Sequence, residues 1–231
     1  MSFMGNMAGN KALAAHSKGD VDNALKLYDE AYAKGMDKPR LLRSYSVLLI
    51  RMGQLDKALE VLKKMEKTPG VTPADKANMH MNYAIILWQK GHIDRALEIL
   101  GDELRERKTG TLYSVMGYIK IEKGDAEEAL AFNKAALEYD EEDPVLLDNM
   151  GQTYYRLFYD KEAAKPYFEK AVAAKANTID SNYFLALYDI EAGDYACARA
   201  HLQTASQGFS SPLNYASPER IAEKLKEIEG K

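Results

Sequence analysis

The sequence predicts an all-α protein in which six helix pairs stack as a solenoid and a C-terminal helix closes the array. Three regularities predict it. Gly followed by a polar residue recurs as Gly19-Asp20, Gly53-Gln54, Gly91-His92, Gly124-Asp125 and Gly193-Asp194, with Gly spacings of 34, 38, 33 and 69, the last nearly two periods. An alanine follows each Gly at one fixed distance: Ala24, Ala58, Ala96, Ala129 and Ala198. Each Gly also ends a stretch of helical periodicity, where a left-handed residue closes the last turn, and a second amphipathic stretch follows.

The elements follow in order. The first repeat, approximately 5–38, opens with a helix rich in small residues (Ala8, Ala12, Ala14, Ala15). The second, 39–72, starts at Pro39, carries Leu42, Tyr45, Ser46 and Leu49 before Gly53, and then Leu55, Leu59, Leu62 and Met65. The third, 73–108, is set off by Pro69 and Pro73, and the fourth spans 109–142. In the fifth, 143–177, Pro144 marks the start, Tyr159 stands in the Gly place and Ala164 in the alanine place. The sixth covers 178–208.

Helices that cross closely need small side chains at the crossing points. In the first helices that column reads Ala12, Ser46, Ala84, Gly117, Gly151 and Ala186. A later column in the second helices reads Ala31, Met65, Glu103, Ala136, Ala171 and Ala205, and its two larger members predict looser packing after repeats two and three. After Gly208 the phase stops. Residues 209–216 read as a linker, and Ser217-Pro218-Glu219 starts a helix over 217–229 with Ile221, Leu225 and Ile228 on one face. A solenoid needs such a terminal cap.

These columns resemble the tetratricopeptide repeat, a helix–turn–helix unit of about 34 residues. The stretch Gly151-Gln152-Thr153-Tyr154 continuing to Ala164, Phe168 and Ala171 carries the likeness best, apart from one extra loop residue. The resemblance covers about residues 5–208 and implies a right-handed solenoid. Departures are the tryptophan column, which reads Ala8, Leu42, His80, Tyr113, Leu147 and Asn182, and the tyrosine column, which fails at Lys120 and Asp189.

Composition narrows the function. The chain has 231 residues, 46% hydrophobic and 29% charged, with a net charge of −4, a globular balance without the basic excess of a nucleic-acid binder. Residues 1–110 hold 18 basic and 14 acidic side chains, whereas residues 111–231 hold 13 and 21, which gives the chain a charge polarity. Cys197 is the only cysteine, so an internal disulfide or cysteine zinc site is excluded, and it is expected as a small buried residue. No apolar run reaches the ~18 residues of a membrane span. The expected location is cytoplasmic. The methionine-rich opening, Met1, Met4 and Met7, also fits the tail of a longer chain whose membrane anchor lies upstream.

Catalytic signals are missing. His16, His80, His92 and His201 lie in different repeats with no metal-pair spacing, and His80, in a packing column, is expected as a partly buried, satisfied imidazole. No phosphate loop, nucleophile elbow or zinc-protease motif occurs. The run Asp140-Glu141-Glu142-Asp143 lacks an EF-hand's spacing and instead feeds the next helix N-terminus. Neither enzyme activity, cofactor nor metal is expected.

The resemblance implies that the first helices line a concave surface that binds peptides. Residues four and three apart share a face, and the stripe reads Gly9, Leu13, His16; Arg43, Val47, Ile50; Met81, Ile85, Trp88; Ser114, Tyr118, Ile121; Asp148, Gln152, Tyr155; Tyr183, Leu187, Ile190. Packing between helices accounts for part of it, chiefly Val47, Ile85 and Leu187. The aromatic members Trp88, Tyr118, Tyr155 and Tyr183 are candidate anchors, joined by Ile50, Met81, Ile121 and Ile190. Arg40, Arg43 and Arg51 flank one end, and Glu122, Asp148 and Glu191 the other. The Lys/Asn/Arg clamp by which some family members hold chaperone C-termini is not kept, since Gly9 and Leu13 stand in its places. The expected function is a non-enzymatic scaffold holding a peptide or helix of a protein partner. The alternative is a membrane-anchored or self-assembling component that uses its uncapped N-terminal end, including as a homodimer contact.

Overall fold

A computed structural model describes residues 2–231; Met1, the first of the methionine-rich opening, lies outside them. All regular secondary structure among the described residues is helical. The helices are α1 (Phe3–Ser17), α2 (Val21–Ala33), α3 (Pro39–Arg51), α4 (Leu55–Glu66), α5 (Pro73–Gln89), α6 (Ile93–Glu106), α7 (Gly110–Lys123), α8 (Ala126–Tyr139), α9 (Pro144–Gln152), α10 (Lys161–Ala174), α11 (Ile179–Ala192), α12 (Tyr195–Ser206) and α13 (Pro218–Glu227), with a π-helical turn at Thr153–Phe158 after α9. No helix among the described residues is long and apolar enough to cross a membrane.

Local chemistry sets the boundaries. Thr72 and Asp75 form a reciprocal capping box at α5, and Ser2, Thr109, Asp125, Asp143, Asp160, Asp194 and Ser217 each accept a backbone N–H at their helix starts. Asp143, the last residue of the acidic run, is thus an N-cap. Pro39, Pro73, Pro144 and Pro218 sit in first turns, where a missing N–H costs nothing.

The chain divides into two compact units, one ending at Glu103 and the other running from Leu104 to Lys231. In the first, α1 packs with α2, α3 with α4, and α3 also touches α1 and α5. In the second, α7 packs with α8, α9 with α10 and α11 with α12, and α13 rests on α12. The alanines Ala24, Ala58, Ala96, Ala129, Ala164 and Ala198 are all fully buried, as is the first-helix column at Ala12, Ser46, Ala84 and Ala186. A Cβ on Gly151 would lie 2.6 Å from the Phe168 ring, which is why glycine stands there. Met65 is fully buried. The unit boundary falls at Glu103, the charged member of that column.

The fifth repeat differs by one residue. Gly117 to Gly124 spans seven positions, and Gly151 to Tyr159 spans eight. The surplus is absorbed by the π-helical turn, the usual answer to an insertion within a helix. After α1, α3, α5 and α11 the closing N–H reaches back five residues, as in Asp20 to Ala15 and His92 to Leu87; that of Asp160 reaches back six, to Tyr154, at 3.0 Å. Tyr159, in the Gly place, adopts φ 56°, the one positive φ among described residues other than glycine.

Two sequence expectations are corrected. Cys197 is exposed rather than buried, because Ala198 is the residue of α12 that turns inward. Its N–H donates to the Asp194 cap, and the Asp194 carboxylate pushes the thiol pKa up. His80 is exposed rather than partly buried; its Nδ1 lies 2.5 Å from Glu103 Oε1 on the neighbouring helix.

Candidate functional site: the first-helix faces of the two units

In the N-terminal unit the face is built by α1, α3 and α5. Asn82 and Ser46, both buried, link α5 to α3 through a 3.4 Å hydrogen bond, which sets the spacing of the side chains around them. Arg40 is exposed and donates to Asn10 at 3.2 Å, and Arg43 pairs with Asp75 at 3.4 Å. Hydrogen bonds from Thr72 hold the Asp75 carboxyl below its ordinary range, so it meets Arg43 ionised. Arg51 is exposed at the end of α3. Burial, aided by the Arg51 guanidinium, pushes the His16 imidazole down, which keeps it neutral at pH 7. Met81 and Trp88 are half-buried on α5, while Ile50 is packed inside the unit.

In the C-terminal unit the corresponding face of α7, α9 and α11 is crowded with polar groups that bond to one another. Gln152 donates to Asp148 at 2.7 Å and to Asp180 at 3.3 Å. Ser181 donates to Asp148 at 2.5 Å. Arg156 donates to the Gln152 side-chain oxygen at 2.9 Å and to Glu122 at 2.6 Å. Burial and the neighbouring Asp180 raise the Asp148 carboxyl to about 7, and burial raises Asp180 as well. The Tyr118 phenol is pushed up by burial and by Glu122.

Asp180 also holds the segment between α12 and α13. Its carboxylate accepts the Asn214 side-chain amide at 3.2 Å and the backbone N–H groups of Tyr215 at 3.2 Å and Ala216 at 2.9 Å. The Tyr215 ring stacks on Phe184 with centroids 5.2 Å apart, and the guanidinium groups of Arg156 and Arg220 lie 4.3 and 4.0 Å from it. The end of the 209–216 segment is therefore a strap held on the unit through Asn214, Tyr215 and Ala216.

Of the expected anchors in this unit, Tyr118, Ile121, Asp148 and Tyr183 are buried within the protein. Tyr155 is half-buried among Phe184, Phe168 and Tyr188, Ile190 is half-buried, and Glu191 is engaged by Lys161 at 2.5 Å. The reason is physical: this face is occupied by the protein's own groups, Asp148 by Gln152 and Ser181 and the Tyr183 ring by Tyr215 of the strap. Asp180, Ser181, Arg156 and Tyr215 were not singled out from the sequence. The spacing rule that drew the stripe puts Asp180 one turn before Tyr183, and that signal could have found it. Among the described residues no three His, Cys, Asp or Glu side chains come together as a metal site.

Stacked helix pairs with side-chain-rich first-helix faces define the class: a helical repeat protein. Residues 15–69 match one tetratricopeptide repeat family and residues 111–143 match another. Those two stretches carry tetratricopeptide repeats, which support a protein–protein interaction scaffold. No curated protein matches the sequence. Among solved structures, a tetratricopeptide repeat protein from Parabacteroides merdae is similar with a TM-score of 0.72 and 15% identity, over 96% of this chain and 82% of its own. PilF of Pseudomonas aeruginosa is similar with a TM-score of 0.57 and 12% identity, over 96% and 97%. A chain of the APC/C hetero-tetramer Cut9–Hcn1 gives 0.63 and 13%, over 96% of this chain and 42% of its own. At these identities the likeness is one of fold.

Proposed function

We propose that the protein is a non-enzymatic scaffold that holds an extended or helical segment of a partner protein on the first-helix face of its N-terminal unit. The observation that carries this reading is the character of that face: exposed Arg40 and Arg51 and half-exposed Arg43 beside half-buried Met81 and Trp88. Guanidinium groups recognise carboxylates in a forked geometry, and a large aromatic ring supplies apolar contact area. A partner segment with acidic groups around an apolar residue fits both. One structure of similar fold, the Cut9–Hcn1 hetero-tetramer, is an assembly of different proteins, which agrees with a scaffold role.

The test is affinity capture from source lysate with the wild-type chain and an Arg40→Glu/Trp88→Ala variant, retained proteins being identified by mass spectrometry. The expected result is a protein retained by the wild type and lost with the variant, whose acidic segment then binds the purified chain. Equal retention by both forms overturns the assignment.

A second reading, self-association through the N-terminal end, is favoured by one observation. Phe3, Met4 and Met7 of α1 are 80%, 65% and 50% exposed. Beside them lies an open cleft of about 500 Å³ lined by Phe3, Asn6, Met7, Asn10 and Lys38. Such apolar exposure is unusual away from interfaces. A mass that rises with concentration in wild type and stays monomeric in Phe3→Ser/Met7→Ser would establish it; a constant monomer mass in both would dismiss it.

A further inference from the structure

The strap meets the C-terminal unit as a bound peptide meets a receptor. Its backbone is held through two N–H groups, one side chain is read by a hydrogen bond, and one ring is stacked and flanked by cations. Asn214, Tyr215 and the fully buried Ala216 all converge on one acceptor group, the Asp180 carboxylate. Asp180, lying 34 to 36 residues before the residues it grips, gives most of its acceptor capacity to them. A buried carboxylate with a second, Asp148, beside it is costly unless donors surround it, and the strap supplies three of those donors. Around the gripped triplet the strap is only partly covered: residues 210–213 are half-buried and Phe209 is 53% exposed.

We propose that the first-helix face of the C-terminal unit is a second segment-binding site, held closed by the chain's own Asn214-Tyr215-Ala216, and that a partner entering it presents the same chemistry: an extended Asn–aromatic–small run. Backbone N–H groups and an amide go to Asp180, and the aromatic ring goes onto Phe184 under Arg156. The strap is then an intramolecular competitor, and it weakens partner binding by the fraction of molecules in which the site is closed. The proposal shares with the reading above the premise that first-helix faces take up chain segments, but it uses none of the same residues.

The test is a titration of a fluorescently labelled peptide, Ser-Ser-Pro-Leu-Asn-Tyr-Ala-Ser, followed by anisotropy with the full chain. The proteins are wild type, Tyr215→Ala, and Asn214→Ala, a milder change that removes two side-chain hydrogen bonds, one to Asp180 and one from the Ser211 N–H, and no ring. Tyr215→Ala is expected to bind the peptide roughly tenfold tighter than wild type and Asn214→Ala by a smaller factor, because each releases the competitor while leaving the site whole. A peptide with Ala for Tyr should bind neither. If Tyr215→Ala does not fold, Asn214→Ala decides. A folded variant that binds no better than wild type, or that binds both peptides alike, overturns the proposal. Trp88 plays no part in the titration, so failure here leaves the N-terminal assignment standing, and failure of the capture experiment leaves this one standing.

Discussion

In the N-terminal unit the loop before α3 is tied down by a neutral group: Asn6 of α1 accepts the N–H groups of Asp37 and Lys38 at 3.1 Å each and donates to the Asp37 carboxylate at 2.7 Å. In the C-terminal unit the strap before α13 is tied down by a buried carboxylate, Asp180, with a second, Asp148, as neighbour. Both devices satisfy backbone donors. The amide does so at no electrostatic cost, and the carboxylate does so against desolvation and like-charge repulsion. The same repeat architecture thus secures one connection through a neutral amide and the other through a buried carboxylate. With the strap docked, the C-terminal face has its polar groups internally paired, while the N-terminal face keeps guanidinium groups at the surface.

The strongest way to break this contrast is Asp180→Ala. It strips the acceptor from two backbone N–H groups and two side-chain amides, those of Asn214 and Gln152, and about 2 kcal/mol of stability should go with it. Hydrogen exchange by mass spectrometry should show the loss confined to residues 104–231, with the amides of Tyr215 and Ala216 freed first. Uniform loss across both units would mean that they do not open separately.

Acidity should act on the two units in opposite senses. The folded pKa of Asp148, about 7, lies above its ordinary value of 3.8. Its contribution is therefore fully present below about 3.8 and is lost as pH rises through about 7. His16 is lowered from 6.5, so its contribution is present above 6.5 and is lost as pH falls below that value. Exchange protection measured from pH 4.5 to 8 should fall with rising pH in the C-terminal unit and fall with declining pH around α1, the second effect being the smaller because His16 is less buried. Asp148→Asn should flatten the first slope. A parallel pH response in both units would contradict the assignment.

Matched glycine substitutions sharpen the comparison further. A Cβ at Gly151 meets the ring of Phe168, and one at Gly9 meets the Met36 thioether sulfur at 2.5 Å and the Leu41 Cδ1 methyl at 2.8 Å, both on side chains with free χ rotations. Gly151→Ala should cost about 1–3 kcal/mol in urea unfolding and Gly9→Ala clearly less, since a thioether moves aside and a packed ring does not. The smallest effect has the opposite sign. Tyr159 is 83% exposed and held at φ 56°, so Tyr159→Gly should raise stability by about 1 kcal/mol. A melting temperature that drops instead would show that the Tyr159 ring contributes more than its strain costs.

The repeat was legible because its signals are local and recurrent. The buried alanines Ala24 to Ala198, the Gly-terminated first helices and the Ser217 cap were readable as spacing; the surplus residue before Tyr159 was readable too, but it lies in a π-helical turn and not in a loop. The candidate site was less so. Tyr118, Asp148 and Tyr183 lie on the helical face where spacing put them, yet spacing does not say what lies above that face. The burial of Cys197 and His80 was misjudged for a related reason: each sits one residue away from, or at a variable place within, an inward column.

What the sequence by itself determined is therefore the sequence-local part: helix limits, the pairing of helices, and which residue of each turn must be small. Those follow from backbone conformation and from side-chain volume at a crossing, and both act over a few residues. What only the tertiary structure decided is the state of the first-helix faces, because that depends on a contact between residues 34 to 36 positions apart. Asp180 and the strap carry no periodic mark of each other; only the folded chain brings a buried carboxylate to the N–H groups it satisfies.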